Sequence, residues 1–121
     1  MAGRLEFELF DYKNEFRPID RYNIAKAILK NSGKYEWVTE NEDDNYSVAV
    51  FRDLSTSAAI SVEGEEDLDK EEPAFILLSG DKSKIQETER RLRRTLLPHV
   101  LNIKRVEEKK RKKPLEEKAK S

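Results

Sequence analysis

The chain has 121 residues with a formal charge of −1; 40% of them are charged and 36% apolar. That length fits one domain, and the apolar share is below the ~45–50% usual for globular proteins. There is no cysteine, which excludes disulfides and thiolate chemistry, and with no apolar run near the ~18 residues of a membrane span and no secretory pattern at the start, the expectation is a cytoplasmic protein.

Leu5 to Tyr12 alternates, with Leu5, Phe7 and Leu9 on one side and Glu6 and Glu8 on the other. This predicts a strand with one buried face. Arg17-Pro18-Ile19-Asp20 then reads as a helix start, either with Pro18 in the first turn or with Asp20 as N-cap. Ile24, Ala25, Ile28 and Leu29 recur at helical spacing, and Gly33 supplies a left-handed end. Four strands follow: Lys34 to Glu40, Tyr46 to Arg52, Thr56 to Glu63 and Ala74 to Ser79. Acidic Asn41 to Asn45, Asp53-Leu54-Ser55 and the acidic stretch up to Pro73 connect them. Asp81 to Leu97 predicts a second helix, capped by Asp81 or Ser83, with Ile85, Thr88, Leu92 and Leu96 inward. Pro98 kinks or restarts it, and Val100 and Ile103 are positioned to continue its stripe.

The expected order is β-α-β-β-β-β-α, an α+β two-layer sandwich with a five-stranded antiparallel sheet and two helices on one face. Residues 1–105 make the domain, and 106–121 a charged, disordered tail. The strands SVAVF, SAAISV and AFILL are apolar on both alternations. The sheet face away from the helices is therefore either an interaction surface or covered by neighbouring strands and the tail. Its candidate residues are Tyr46, Val48, Val50, Arg52 and Ile60.

Charge is unevenly placed. Lys104 to Ser121 carries a net +5, leaving −6 on Met1 to Ile103, with acid concentrated in Glu40–Asp44 and Glu63–Glu72. Lys109, Lys110, Arg111, Lys112 and Lys113 form a cationic run. It reads as a contact for nucleic acid or an acidic partner, as a solubilising tail, or as a screen for the acidic loops of this or a second copy. High Lys and Glu content without cysteine fits a thermophile's intracellular protein.

The order resembles one repeat of the TATA-box-binding protein family. Asn45-Tyr46-Ser47-Val48-Ala49-Val50-Phe51-Arg52 looks like that family's third strand. Leu78-Ser79-Gly80-Asp81-Lys82-Ser83 looks like its last strand and the start of its long helix, continued in style by Gln86, Arg90 and Arg91. The resemblance spans Leu5 to about Ile103 and extends to small archaeal proteins with a single such module. It implies the fold and a binding role. The family joins two repeats and kinks DNA with aromatics on two strands. Here there is one repeat; Tyr46 matches the first aromatic position, and Ser61 occupies the second. Acidic turns flank those strands and oppose phosphate.

No pattern specifies a catalytic residue, a cofactor or a metal. Ser79-Gly80-Asp81-Lys82-Ser83 lacks the glycine spacing of a phosphate loop and reads as capping. His99, the one histidine, reads as a boundary residue. The acidic stretch lacks a calcium-loop pattern. Tyr35, Trp37 and Tyr46 lie on adjacent predicted strands, as core or cross-strand pairs or as a platform for single-stranded bases. The expected function is a non-enzymatic binding or adaptor module. It uses the open sheet face for a protein partner or self-association, with no membrane contact. The alternative is weak nucleic-acid binding through that face and the basic tail.

Overall fold

The structure is a computed structural model, and it describes residues 2–42, 46–65 and 73–106. The first strand, β1, is Ala2–Asp11. Helix α1 is Pro18–Asn31, with Pro18 opening it after an extended Arg17. Proline fits there because the first turn has no use for its missing N–H. Asp20 sits inside the first turn, not at the cap, and pairs with Arg17 at 3.1 Å. Gly33, at φ +76°, turns the chain into β2, Tyr35–Glu42. Strands β3, Tyr46–Asp53, β4, Ala59–Glu65, and β5, Ala74–Asp81, follow, then helix α2, Lys82–Leu96.

The chain does not end its regular structure there. Leu97–His99 forms a short 3-10 turn, Val100 takes a left-handed conformation at φ +65°, and Leu101–Arg105 is a sixth strand, β6. Among the described residues the sheet therefore has six strands instead of five, and the order is β-α-β-β-β-β-α-β. Val100 and Ile103 do not continue the helical stripe. Pro98 has no N–H to give the helix ladder. The left-handed Val100 then reverses the chain, with its N–H donating to the Leu97 carbonyl at 3.1 Å. Leu101 and Ile103, two apart, are both buried.

The strands lie in the order β2-β3-β4-β5-β1-β6, and every neighbouring pair is antiparallel. Both helices cover the same face. α1 lies mainly over β4, and α2 over β5, β1 and β6. The core between the layers takes Phe7 and Leu9 from β1, Phe51 from β3, Ile60 and Val62 from β4, and Ile76 and Leu78 from β5. From the helices it takes Tyr22, Leu29, Ile85, Leu92 and Leu96. α1 approaches β4 closely at Gly64. A Cβ built there would lie 2.5 Å from the Tyr22 Cβ, so only glycine admits the tyrosine.

Two buried carboxylates shape the connections. Asp11 accepts the Glu15 N–H at 2.7 Å and the Arg21 Nε–H at 2.8 Å. Burial would raise its pKa, but these donors hold the carboxyl below its ordinary range. Asp53 ends β3 and accepts the Ser55 N–H and the Thr88 hydroxyl, each at 2.8 Å. Thr88 also meets the Thr56 hydroxyl at 2.6 Å. The turn before β4 is thus bonded to the middle of α2, and β4 begins at Ala59, later than Thr56. No helix among the described residues is long and apolar enough to cross a membrane.

Candidate interaction face

Alternation decides what the uncovered face displays. On β3, Ser47, Ala49, Phe51 and Asp53 are buried under the helices, so Tyr46, Val48, Val50 and Arg52 point to the other side. Tyr46 is 44% exposed, and the two valines are half-buried. Ile60 does not join them. It is fully buried opposite Phe51, inside the helix-covered core. Its strand turns Ala59, Ser61 and Glu63 outward instead. Ser61 and Glu63 are polar and share one alternation, so the opposite alternation, Ile60 and Val62, is the one that gains by burial.

The register extends this face across the sheet. One row runs Asn41, Val48, Glu63, Phe75, Glu8, Lys104, and the next runs Thr39, Val50, Ser61, Leu77, Glu6. Val48 and Val50 form one apolar strip, and Phe75 and Leu77 a second. Polar Ser61 and Glu63 separate them, so the strips stand two strand spacings apart, about 10 Å. Charge on the face is largely paired: Arg52 bonds Glu36, and Lys104 meets Glu8 at 3.0 Å. Arg52 is therefore already engaged with a carboxylate.

The three aromatics do not form one platform. Tyr35 is buried under the helices, with its hydroxyl 3.4 Å from that of Thr95. Trp37 stands opposite Phe51 on the helix side, where the Lys30 ammonium sits 4.5 Å from the ring centre. Tyr46 faces the other way. A bulge at Val38 also switches the inward alternation of β2, from Tyr35 and Trp37 to Glu40 and Glu42. Those two glutamates meet Lys26 of α1. Burial would lower the Lys26 pKa, but the two carboxylates raise it instead. Lys26 in turn holds Glu40 below its ordinary value.

At the start of α2, Asp81 is the cap. Its carboxylate accepts the Ser83 N–H at 3.0 Å and the Ser83 hydroxyl at 2.8 Å, which together depress its pKa. The Ser83 N–H, a backbone donor an anion would use, is therefore occupied by a side chain that is itself anionic. His99 is exposed on the rim of an open groove of about 530 Å³ between α1 and the end of α2, floored by Ile24 and Ile28. No group of three His, Cys, Asp or Glu among the described residues is arranged to hold a metal ion. Lys109, Lys110, Arg111, Lys112 and Lys113 lie outside the described residues, as does most of Glu63–Glu72.

Sequence reasoning missed one anchored cluster. Glu89 is buried on α2. Its Oε2 accepts Arg93 Nη2 at 2.9 Å, and its Oε1 accepts Arg105 Nη2 at 2.7 Å. Burial pushes its pKa up, but the two guanidiniums prevail and hold it below the ordinary value. This clamp joins α2 to β6. The glutamate and both arginines are visible in the sequence, but their meeting requires the sixth strand.

No protein-family model, no curated protein and no solved structure matches this chain.

Proposed function

We propose that this protein is a non-enzymatic binding module, working in the cytoplasm, that associates through its open sheet face with another protein or with a second copy of itself. One observation carries the reading. The two half-buried apolar strips, Val48–Val50 and Phe75–Leu77, lie on the face opposite both helices, and no element among the described residues covers them. Apolar strips rimmed by polar residues, as Ser61 and Glu63 rim these, mark association sites more often than plain solvent surface. The resemblance to a single TATA-binding-like module supports the same reading, since the first seven elements follow that order.

Nucleic-acid binding through Tyr46, Arg52 and the cationic run is the competing reading. The Arg52–Glu36 pair and the half-buried Glu63 weigh against it, because phosphate affinity comes from cations free to neutralise it.

Affinity isolation from the native source, with and without nuclease, separates the two. A partner, or a second copy, that survives nuclease and high salt and is lost in Val50→Asp supports the face. Retention that disappears with nuclease supports nucleic acid.

A further inference from the structure

Antiparallel pairing fixes where each backbone group of β6 points. The Tyr12 N–H donates to the Val100 carbonyl and the Val106 N–H to the Glu6 carbonyl, both at 3.0 Å. Between them, Asn102 stands opposite Phe10 and Lys104 opposite Glu8. The even-numbered residues therefore bond to β1, and Leu101, Ile103 and Arg105 aim their N–H and C=O groups away from it. Among the described residues β6 is the last strand of the sheet. Its outward row is the kind of edge that recruits a strand from another chain.

Ile103 lies at the middle of that row, and side chains occupy both of its backbone groups. Its N–H donates to the Oδ1 of Asn102 at 2.8 Å. Its carbonyl accepts from Nη1 of Arg93, which reaches across from α2. Both side chains are fixed. Asn102 is 6% exposed, and its Nδ2 donates to the Tyr12 hydroxyl at 3.2 Å. Arg93 is held by the buried carboxylate of Glu89. An incoming strand would have to displace a buried amide and a clamped guanidinium to reach Ile103.

We infer that Asn102 and Arg93 guard the outer edge of β6 against strand addition by a second copy of this chain. The other edge strand, β2, is broken by the bulge at Val38. Natural sheets use such devices against edge-to-edge pairing.

The inference stands apart from the proposed face, so each variant is made in a Val50→Asp background that closes the face with charge. In that background Asn102→Ala removes the acceptor for the Ile103 N–H, and Arg93→Met the donor to its carbonyl. Each is expected to keep its far-UV circular dichroism and to sediment at about twice the parental mass or more, as isologous edge pairing gives. Asn102→Asp retains an acceptor oxygen and is expected to stay at the parental mass. In the unaltered protein the Ile103 amide should exchange with solvent about tenfold more slowly than that of Arg105, the next outward amide. Two folded variants at the parental mass would overturn the inference. So would an Ile103 amide that exchanges as fast as that of Arg105, which decides the matter alone if a variant unfolds.

Discussion

Gly64→Ala tests the packing that sets α1 on the sheet. The substitution adds one methyl group to β4 on the side facing Tyr22, where it would fall 2.5 Å from Cβ and 3.0 Å from Cγ of that residue. Carbon atoms in contact stand about 3.5–4.0 Å apart, so α1 must withdraw by roughly 1 Å. Tyr22 is fully buried and is among the largest side chains of the core, with little room to turn. Overpacking of this kind costs about 2–3 kcal/mol, which lowers the melting temperature of a domain this size by roughly 10–15 °C. Thermal and urea unfolding followed by circular dichroism measure it. Gly33→Ala is the control. Nothing lies within 4 Å of a Cβ there, and only the φ of +76° is strained. It should cost about 1 kcal/mol. If Gly64→Ala is no worse than Gly33→Ala, the close approach of α1 to β4 is not what holds the helix.

Acid should act through Glu89. Its folded-state pKa lies below its unfolded value, so its contribution is complete above that unfolded value, near 4.5, and is lost as pH falls through the folded pKa. Urea titrations should show stability falling below pH 4.5 in the parent, with a shallower fall in Glu89→Gln. Equal slopes would remove the clamp from the account. Val100 is a β-branched residue held at φ +65°. Val100→Asn, which tolerates that conformation, should raise stability by roughly 1 kcal/mol. A loss would show that the half-buried valine side chain matters more than the backbone.

Much of this fold is legible locally. Leu5, Phe7 and Leu9 against Glu6 and Glu8 specify a strand and its buried side without reference to the rest of the chain. Pro18, Gly33 and Asp81 mark helix boundaries by chemistry that acts within a turn. The sixth strand is different. Leu101-Asn102-Ile103 is too short for periodicity to tell a strand from a helix continuation. The reversal that makes it a strand depends on a valine in a conformation that valine rarely signals. The face shows the same division. The alternation of β3 separates Val48 and Val50 from Ala49 and Phe51, and on β4 the polar pair Ser61 and Glu63 marks the opposite alternation, with Ile60, as the inward one. The separation of Trp37 from Tyr46 is settled by sheet register, which no local pattern carries. The Glu89 clamp and the guard on Ile103 are tertiary in the same sense.

The absence of cysteine permits one direct test of the proposed face. A single cysteine at Val50→Cys carries a spin label on the apolar strip of β3, and Glu87→Cys carries one on an exposed position of α2, in the opposite layer. Label mobility is followed as the protein is concentrated and as native extract is added, at low and high salt and with nuclease. Burial of apolar surface is not screened by salt. The account predicts that the label at position 50 becomes immobilised under at least one of these conditions and stays so in high salt and after nuclease, while the label at position 87 is unchanged. A label at position 50 that stays mobile throughout, or that is released by salt or nuclease, would contradict it.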